Sequence, residues 1–232
     1  MQLDNLRQLI DNVVMLTNSS QSADLVELFV MRGVKQKFKK GEYIIRPGES
    51  PPGIFYIKKG LVKAYDITRY QEENLLIIRK DAELFPIIWA LTGQERSVIY
   101  QTLEPTITYR ISRKTFLNNL QNNPSTLSSV LDMTVEMYRL HSERILNLEY
   151  RTVRERLISF LLTTSDRFGI NKIKNQITIN VPLRHQDIAS SINSSRETTS
   201  RELSALEKKG LISTSRQFIT IKDLKTFKKY VT

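Results

Sequence analysis

The spacing of apolar residues changes twice along this chain, and each change marks a different kind of structure. Residues 3–32 alternate short helical patches with the polar break TNSSQSAD, which predicts two short helices ending near Gly33. From Val34 to about Thr115 the period falls to two. VKQKF, EYIIRP, IFYIKKG, LVKAYDI, NLLIIRK, VIYQTL and TITYRIS read as short strands. Gly41, Pro47-Gly48, Pro51-Pro52-Gly53, Gly60 and Gly93 punctuate them, as expected of a rolled antiparallel barrel. From Pro124 the period returns to that of a helix, with Leu127, Val130, Leu131, Thr134, Met137, Tyr138, His141, Ile145 and Leu148 along one side. Part of so wide a stripe must face the barrel, and the rest suits either pairing with a second chain, the expectation here, or further packing on the barrel. Val153, Leu157, Phe160 and Leu161 then begin a second core, with the boundary near Glu149–Arg151. The expected class is α+β, with three regions: an effector-type barrel over 1–123, a long dimerisation helix over 124–150, and a terminal domain over 151–232.

The most informative stretch is Leu183–Leu211, LRHQDIASSINSSRETTSRELSALEKKGL. Leu183, Ile188, Ala189 and Ile192 give one helical face, and Asn193-Ser194-Ser195 breaks it. Ser194 followed by Glu197 has capping-box spacing and starts a second helix. Thr199, Leu203 and Leu206 point that helix inward, and Gly210 ends it after Lys208 and Lys209. Arg196, Glu197, Ser200 and Arg201 fall on the opposite face, where residues four apart stack. Arginine suits guanine and glutamate suits the cytosine amino group in a major groove, although the same pairs also make an ordinary solvated helix. LISTSRQFITI decides between these readings. Leu211–Ser213 and Phe218–Ile221 flank Thr214–Gln217, so a β-hairpin wing follows the two helices. QITINVPL, Gln176–Leu183, is expected as a strand leading into the first of them.

Charge supports a polyanion partner. Residues 151–232 hold 16 of the 35 lysines and arginines but only 7 of the 24 acidic residues. Arg216 in the wing, His185, Ser195 and Thr198 are the expected contacts to the DNA backbone. There is no cysteine, which excludes disulfides, thiolate zinc sites and cysteine-ligated iron–sulfur clusters. The two histidines, His141 and His185, have no metal-ligand spacing, and no phosphate loop or nucleophile elbow is present, so neither a metal site nor a catalytic residue is expected. The apolar run Leu84–Leu91 is too short to span a membrane, and no signal peptide is apparent. A soluble cytoplasmic protein is the expectation.

In this order, barrel, long helix and winged helix-turn-helix, the sequence resembles the Crp/Fnr family of bacterial transcription regulators over essentially its whole length. DIASSINSSRETTSRELSALEKKGLI and the spaced Gly41, Gly48 and Gly60 carry the resemblance. It implies a cyclic-nucleotide-binding-type β-roll or jelly-roll barrel. It also implies a homodimer through residues 127–148 and a recognition helix, 195–209, in the major groove of double-stranded DNA. Arg196, Glu197 and Arg201 match base-reading positions of the family's cyclic-AMP-binding members, which implies a palindrome with TGTGA-like halves. The oxygen-sensing branch lacks an arginine at position 196 and needs cysteines absent here. RNA polymerase is an implied partner, through a loop at Asp166–Lys174 that carries no recognisable signature.

For the effector, the resemblance is incomplete. Arg96-Ser97 in GQERS match the family's phosphate-gripping pair, yet the candidate ribose-binding Glu83 follows Ala82 rather than glycine. His141-Ser142 stand where a threonine–serine pair meets adenine. Cyclic AMP, another small effector such as the dicarboxylate of the 2-oxoglutarate-sensing branch, and no effector all stay open. So does a second reading of the chain, a winged-helix module for protein or RNA with an effector-less barrel.

Overall fold

The computed structural model describes residues 23–173 and 175–230. The first of the two expected N-terminal helices falls outside them. The second is α1, Ala23–Arg32, which buries Leu25, Leu28 and Phe29. It stops at Gly33, whose N–H donates to the Phe29 carbonyl at 2.9 Å. A Cβ at Gly33 would lie 2.2 Å from that oxygen, so the turn admits no side chain. The strands follow: β1 Val34–Phe38, β2 Tyr43–Ile45, β3 Ile54–Lys59, β4 Val62–Ile67, β5 Glu73–Arg79, β6 Leu84–Phe85, β7 Ile99–Thr102 and β8 Thr106–Ile111. The apolar run Leu84–Leu91 divides between β6 and a short helix, α2 Ile87–Thr92. Two four-stranded sheets result, ordered β1-β8-β3-β6 and β2-β7-β4-β5. Pairing is antiparallel, for example Tyr56 with Tyr109 and Phe55 with Phe85.

Contacts divide the chain into two units, one of residues up to Lys63 with Ile78–His141, the other of Ala64–Ile77 with Ser142 onward. In the first unit, Phe55, Phe85 and Tyr100 stack through the roll, with centroids 5.1 and 4.7 Å apart. Such stacks add stability beyond the area they bury. Outside the roll, Phe29 packs on Tyr56 and on Phe116 of α3, Arg113–Asn122. β3 loses the alternation of a half-exposed strand because Ile54–Ile57 are covered on both faces.

The long helix, α4 Pro124–Tyr150, is 27 residues. Its apolar positions divide as expected. Val130, Met133 and Met137 join the first unit's core, whereas Leu127, Leu131, Val135, Tyr138 and Ile145 stay exposed, Leu131 at 59% and Tyr138 at 74%. Those five recur at three- and four-residue steps or their sum, one seam along the helix.

In the second unit, α5 Val153–Phe168 opens with a capping box between Thr152 and Glu155 and buries Leu157, Ile158, Leu161 and Leu162. The expected loop at Asp166–Lys174 is not a loop over its described part. The helix runs to Phe168 and β9, Gly169–Ile173, follows directly. A hairpin can form here because Ile170 pairs with Thr178 on β10, Gln176–Ile179. β10 is half the length expected: Pro182 has no N–H for a ladder, and the Leu183 N–H turns instead to the Gln217 carbonyl at 3.0 Å. β11, Ile212–Ser215, and β12, Phe218–Ile221, complete a sheet ordered β11-β12-β10-β9, and α8, Leu224–Lys229, closes the domain on Phe227.

Candidate nucleic-acid interface

The first helix of the reading pair, α6, runs from His185 to Ser191. It begins at His185, with Arg184 in the cap position. The Asp187 carboxylate accepts the Arg184 N–H at 3.1 Å. It also grips the guanidinium, from Nε at 2.9 Å and from Nη2 at 2.7 Å. This pairing with Asp187 raises the Arg184 pKa above its already high ordinary value. The turn is compact. Asn193 adopts φ +49°, a conformation asparagine tolerates, and the Ser194 N–H donates to the Ala189 carbonyl at 3.0 Å.

The second helix, α7, spans Arg196–Lys208. Its cap is Ser195 rather than Ser194, with Oγ accepting the Thr198 N–H at 3.1 Å. The expected Ser194–Glu197 box is therefore replaced by a single serine cap one residue on: either serine can cap, and tertiary packing of the turn chooses. Inward, Thr199, Leu203 and Leu206 are buried as expected. Outward, Arg196, Glu197 and Arg201 are exposed, while Thr198 and Ser200 are half-buried. Ser200 Oγ shares a 2.7 Å hydrogen bond with Nδ1 of His185, so the two helices meet through two of the candidate residues. Arg201 Nη2 donates to the Thr198 hydroxyl at 3.4 Å.

The wing is β11, Ile212–Ser215, paired with β12, Phe218–Ile221, in register Ser215 to Phe218. Arg216 and Gln217 form its two-residue tip at φ +48° and +74°, the signs of a type I′ hairpin turn. The tip is thus two residues shorter than the expected Thr214–Gln217, because β11 extends through Thr214 and Ser215 while β12 begins at Phe218 as expected. Glu207 ties the end of α7 to the wing, accepting the Thr214 N–H at 2.9 Å and its hydroxyl at 3.0 Å.

A cleft of about 600 Å³ runs between helices and wing, lined among others by Arg184, His185, Gln186, Arg196, Arg216 and Gln217. Three arginines and a histidine around one groove, beside the N-terminus of a 13-residue helix, make a surface for phosphate. The structure therefore brings His185, Arg196 and Arg216 to one place. Glu197 and Arg201 lie on the exposed side of the same helix. Sequence reasoning missed Arg184 and Gln186. Arg184 three residues before Asp187 is N-cap to N3 spacing, a signal that could have drawn attention to it.

The candidate effector residues are less concentrated. Arg96 and Ser97 lie in an irregular, exposed segment between α2 and β7. Glu83 meets Arg79 Nη1 at 3.5 Å. Arg79 was not singled out from sequence, yet it is only 6% exposed. Its Nε is buried without a partner, and its Nη2 rests against Met137 Sδ of α4. Burial raises the Tyr100 pKa, and the charges of Arg79 and Arg96 counter that rise. Both cations therefore act on the tyrosine inside the roll. His141 and Ser142 are half-buried on α4.

Two family models match the chain: a cyclic nucleotide-binding domain over residues 35–123 and a Crp-like helix-turn-helix domain over 155–230. The chain is 28% identical to the global nitrogen regulator of Nostoc sp., covering 81% of this chain and 85% of that protein. It is 27% identical to the anaerobic regulatory protein of Bacillus subtilis, covering 83% and 81%. A solved structure of CooA from Carboxydothermus hydrogenoformans superposes with a TM-score of 0.73 at 20% identity, covering 94% of each chain, a likeness of fold. The β-roll, the reading pair with its wing, and these relatives agree: the chain belongs to the Crp/Fnr family of transcription regulators, not to a family of enzymes.

Proposed function

We propose that this regulator binds a palindromic DNA duplex as a homodimer, each chain placing α7 in the major groove of one half-site. The observation that carries the reading is the exposed face of α7, where Arg196, Glu197 and Arg201 stand clear of the domain core. Arg196 and Arg201 read guanine, Glu197 reads the cytosine amino group, and Ser200 sits beside them, positioned by His185. His185, Arg216, Ser195 and Thr198 contact the sugar–phosphate backbone and set the register. The exposed seam Leu127, Leu131, Val135, Tyr138 and Ile145 supports dimerisation, because a helix that leaves large apolar residues in water calls for a partner face.

Gating by a small effector in the roll belongs to the same proposal. Glu83, Arg96, Ser97, His141 and Ser142 are its candidate ligands, and the buried cation of Arg79 favours an anionic one. Working in the cytoplasm and touching RNA polymerase through the segment Asp166–Lys174 complete it. Among the described residues no helix is long and apolar enough to cross a membrane.

The test is binding of labelled duplexes at moderate salt. A TGTGA-type palindrome is expected to win over its scrambled counterpart, and Arg196→Ala is expected to remove that preference. Equal binding of the two duplexes by the unaltered chain would overturn the reading, as would tighter binding of an RNA hairpin.

A further inference from the structure

Arg184 lines the cleft with His185, Arg196 and Arg216, but its guanidinium is already occupied. Besides the two bonds to Asp187, Nη2 reaches Oε2 of Glu73 on β5 at 2.7 Å. The two carboxylates play different parts. Asp187 is buried at 5% exposure and also caps α6, so it is fixed by the helix itself. Glu73 comes from 111 residues earlier in the chain, and its side chain keeps 33% exposure. Two carboxylates thus hold one of the three arginines lining a groove whose other charged lining residues are cationic. Negative charge there opposes the phosphate backbone that the groove would receive.

Glu73 does not reach Arg184 by chance of a long side chain. The start of β5 is fastened to α6 by neighbouring bonds. The Leu75 N–H donates to Ser190 Oγ at 3.2 Å. Arg144 of α4 spans the join, with Nη1 donating to the Leu75 and Leu76 carbonyls at 2.9 and 3.4 Å. Its Nη2 donates to Asn74 Oδ1 at 3.3 Å and to the Ser190 carbonyl at 3.2 Å. A half-buried guanidinium with four acceptors on the two elements holds them in one register. The Glu73–Arg184 pair itself is half in solvent, and such pairs are weak enough for a phosphate to displace.

We propose that Arg184 is a phosphate-binding residue of the DNA interface and that Glu73 occupies it as an internal stand-in for phosphate. DNA and the β5 carboxylate then compete for one guanidinium, and whatever moves the start of β5 away from α6 strengthens DNA binding. This rests on the duplex-binding reading above.

The experiment compares full-length unaltered chain, Glu73→Gln, Arg184→Gln, the double variant, and Glu72→Gln as a charge control, on the preferred duplex over a range of salt. Glu72 is exposed and one residue away, so its variant reports the bare effect of removing one negative charge. Glu73→Gln is expected to bind about two- to fivefold more tightly than Glu72→Gln, the range set by a half-exposed ion pair. Its log–log salt slope should be steeper by about one, the mark of one added phosphate contact. In the Arg184→Gln background the Glu73 substitution should change binding no more than Glu72→Gln does. If the unaltered chain binds the duplex but Glu73→Gln behaves as Glu72→Gln does, the competition is overturned while the DNA reading stands. A gain beyond that of Glu72→Gln that persists without Arg184 overturns it equally. An unaltered chain that binds no duplex overturns the proposed function and this inference together.

Discussion

Arg156 Nη2 donates to the backbone carbonyl of Asn193 at 3.2 Å, so the first helix of the terminal domain holds the turn of the reading pair. Asn193 is the left-handed residue of that turn. Losing a hydrogen bond from a charged group costs about 1.5–3 kcal/mol. Arg156→Met is expected to lower domain stability by about that range, measured by the urea midpoint at unchanged slope. Duplex affinity should fall with it, because α6 and α7 lose their fixed angle. An unaltered midpoint would show that the turn holds without the arginine.

Base-reading and backbone-contacting arginines should separate in a salt titration. Arg196→Ala and Arg201→Ala are expected to cost about 1–3 kcal/mol on the preferred duplex and to relax discrimination at one base pair each. Arg216→Ala should weaken every duplex alike and lower the salt slope by about one. If Arg201→Ala weakens scrambled and preferred duplexes equally, Arg201 is a phosphate contact.

The wing tip gives a prediction in which stability and binding move in opposite directions. Arg216 sits at φ +48°, where an ordinary L residue is strained and glycine is not. Arg216→Gly is therefore expected to raise the thermal midpoint, by relief of about 1 kcal/mol of strain, while binding DNA less well. A lowered midpoint would mean that the guanidinium stabilises the tip more than its backbone strains it.

Acid should act on the terminal domain through two caps. Hydrogen bonds from the Thr152 N–H and hydroxyl hold the Glu155 carboxyl below its ordinary value of 4.5. The Thr226 hydroxyl and N–H, with Asn175 and the Lys225 N–H, hold Asp223 below 3.8. Both groups bind protons more weakly when folded. Their stabilisation is complete above the ordinary values and is lost as pH falls through the depressed ones. The thermal midpoint should be level above about pH 6 and fall below the ordinary carboxylate range. Glu155→Gln with Asp223→Asn should flatten that fall; an unchanged profile would assign the acid sensitivity to other carboxylates.

The seam on α4 is tested by charge. Leu131→Lys with Tyr138→Glu is expected to give a monomer in sedimentation equilibrium, with normal helicity and weakened binding to a palindrome. A dimer that survives both substitutions would place the interface elsewhere.

Much of this was legible because it is local. Ile188, Ile192, Leu203 and Leu206 lie within two turns of one another on their own helices, so periodicity finds them and burial follows. The split of the α4 stripe was also visible, since one helix cannot aim Val130 and Leu131 at the same neighbour. The one-residue shift of the cap to Ser195 was not, because two adjacent serines offer the same acceptor. Least legible were the contacts made at a distance. Arg156 meets Asn193 across 37 residues and Arg184 meets Glu73 across 111. An arginine in a charged helix gives no sign of which far carbonyl or carboxylate it will find. The same holds for Arg79, a cation whose burial follows from the sheet and not from its neighbours in sequence.

The exposed seam of α4 also bears on how sharply such a regulator responds. While most chains are single, the concentration of pairs grows as the square of the concentration of chains. A twofold rise in synthesis then gives about a fourfold rise in the species able to cover both half-sites. On the proposed pairing, the dose of the regulator becomes a signal in its own right, read by a row of leucine, valine, tyrosine and isoleucine side chains.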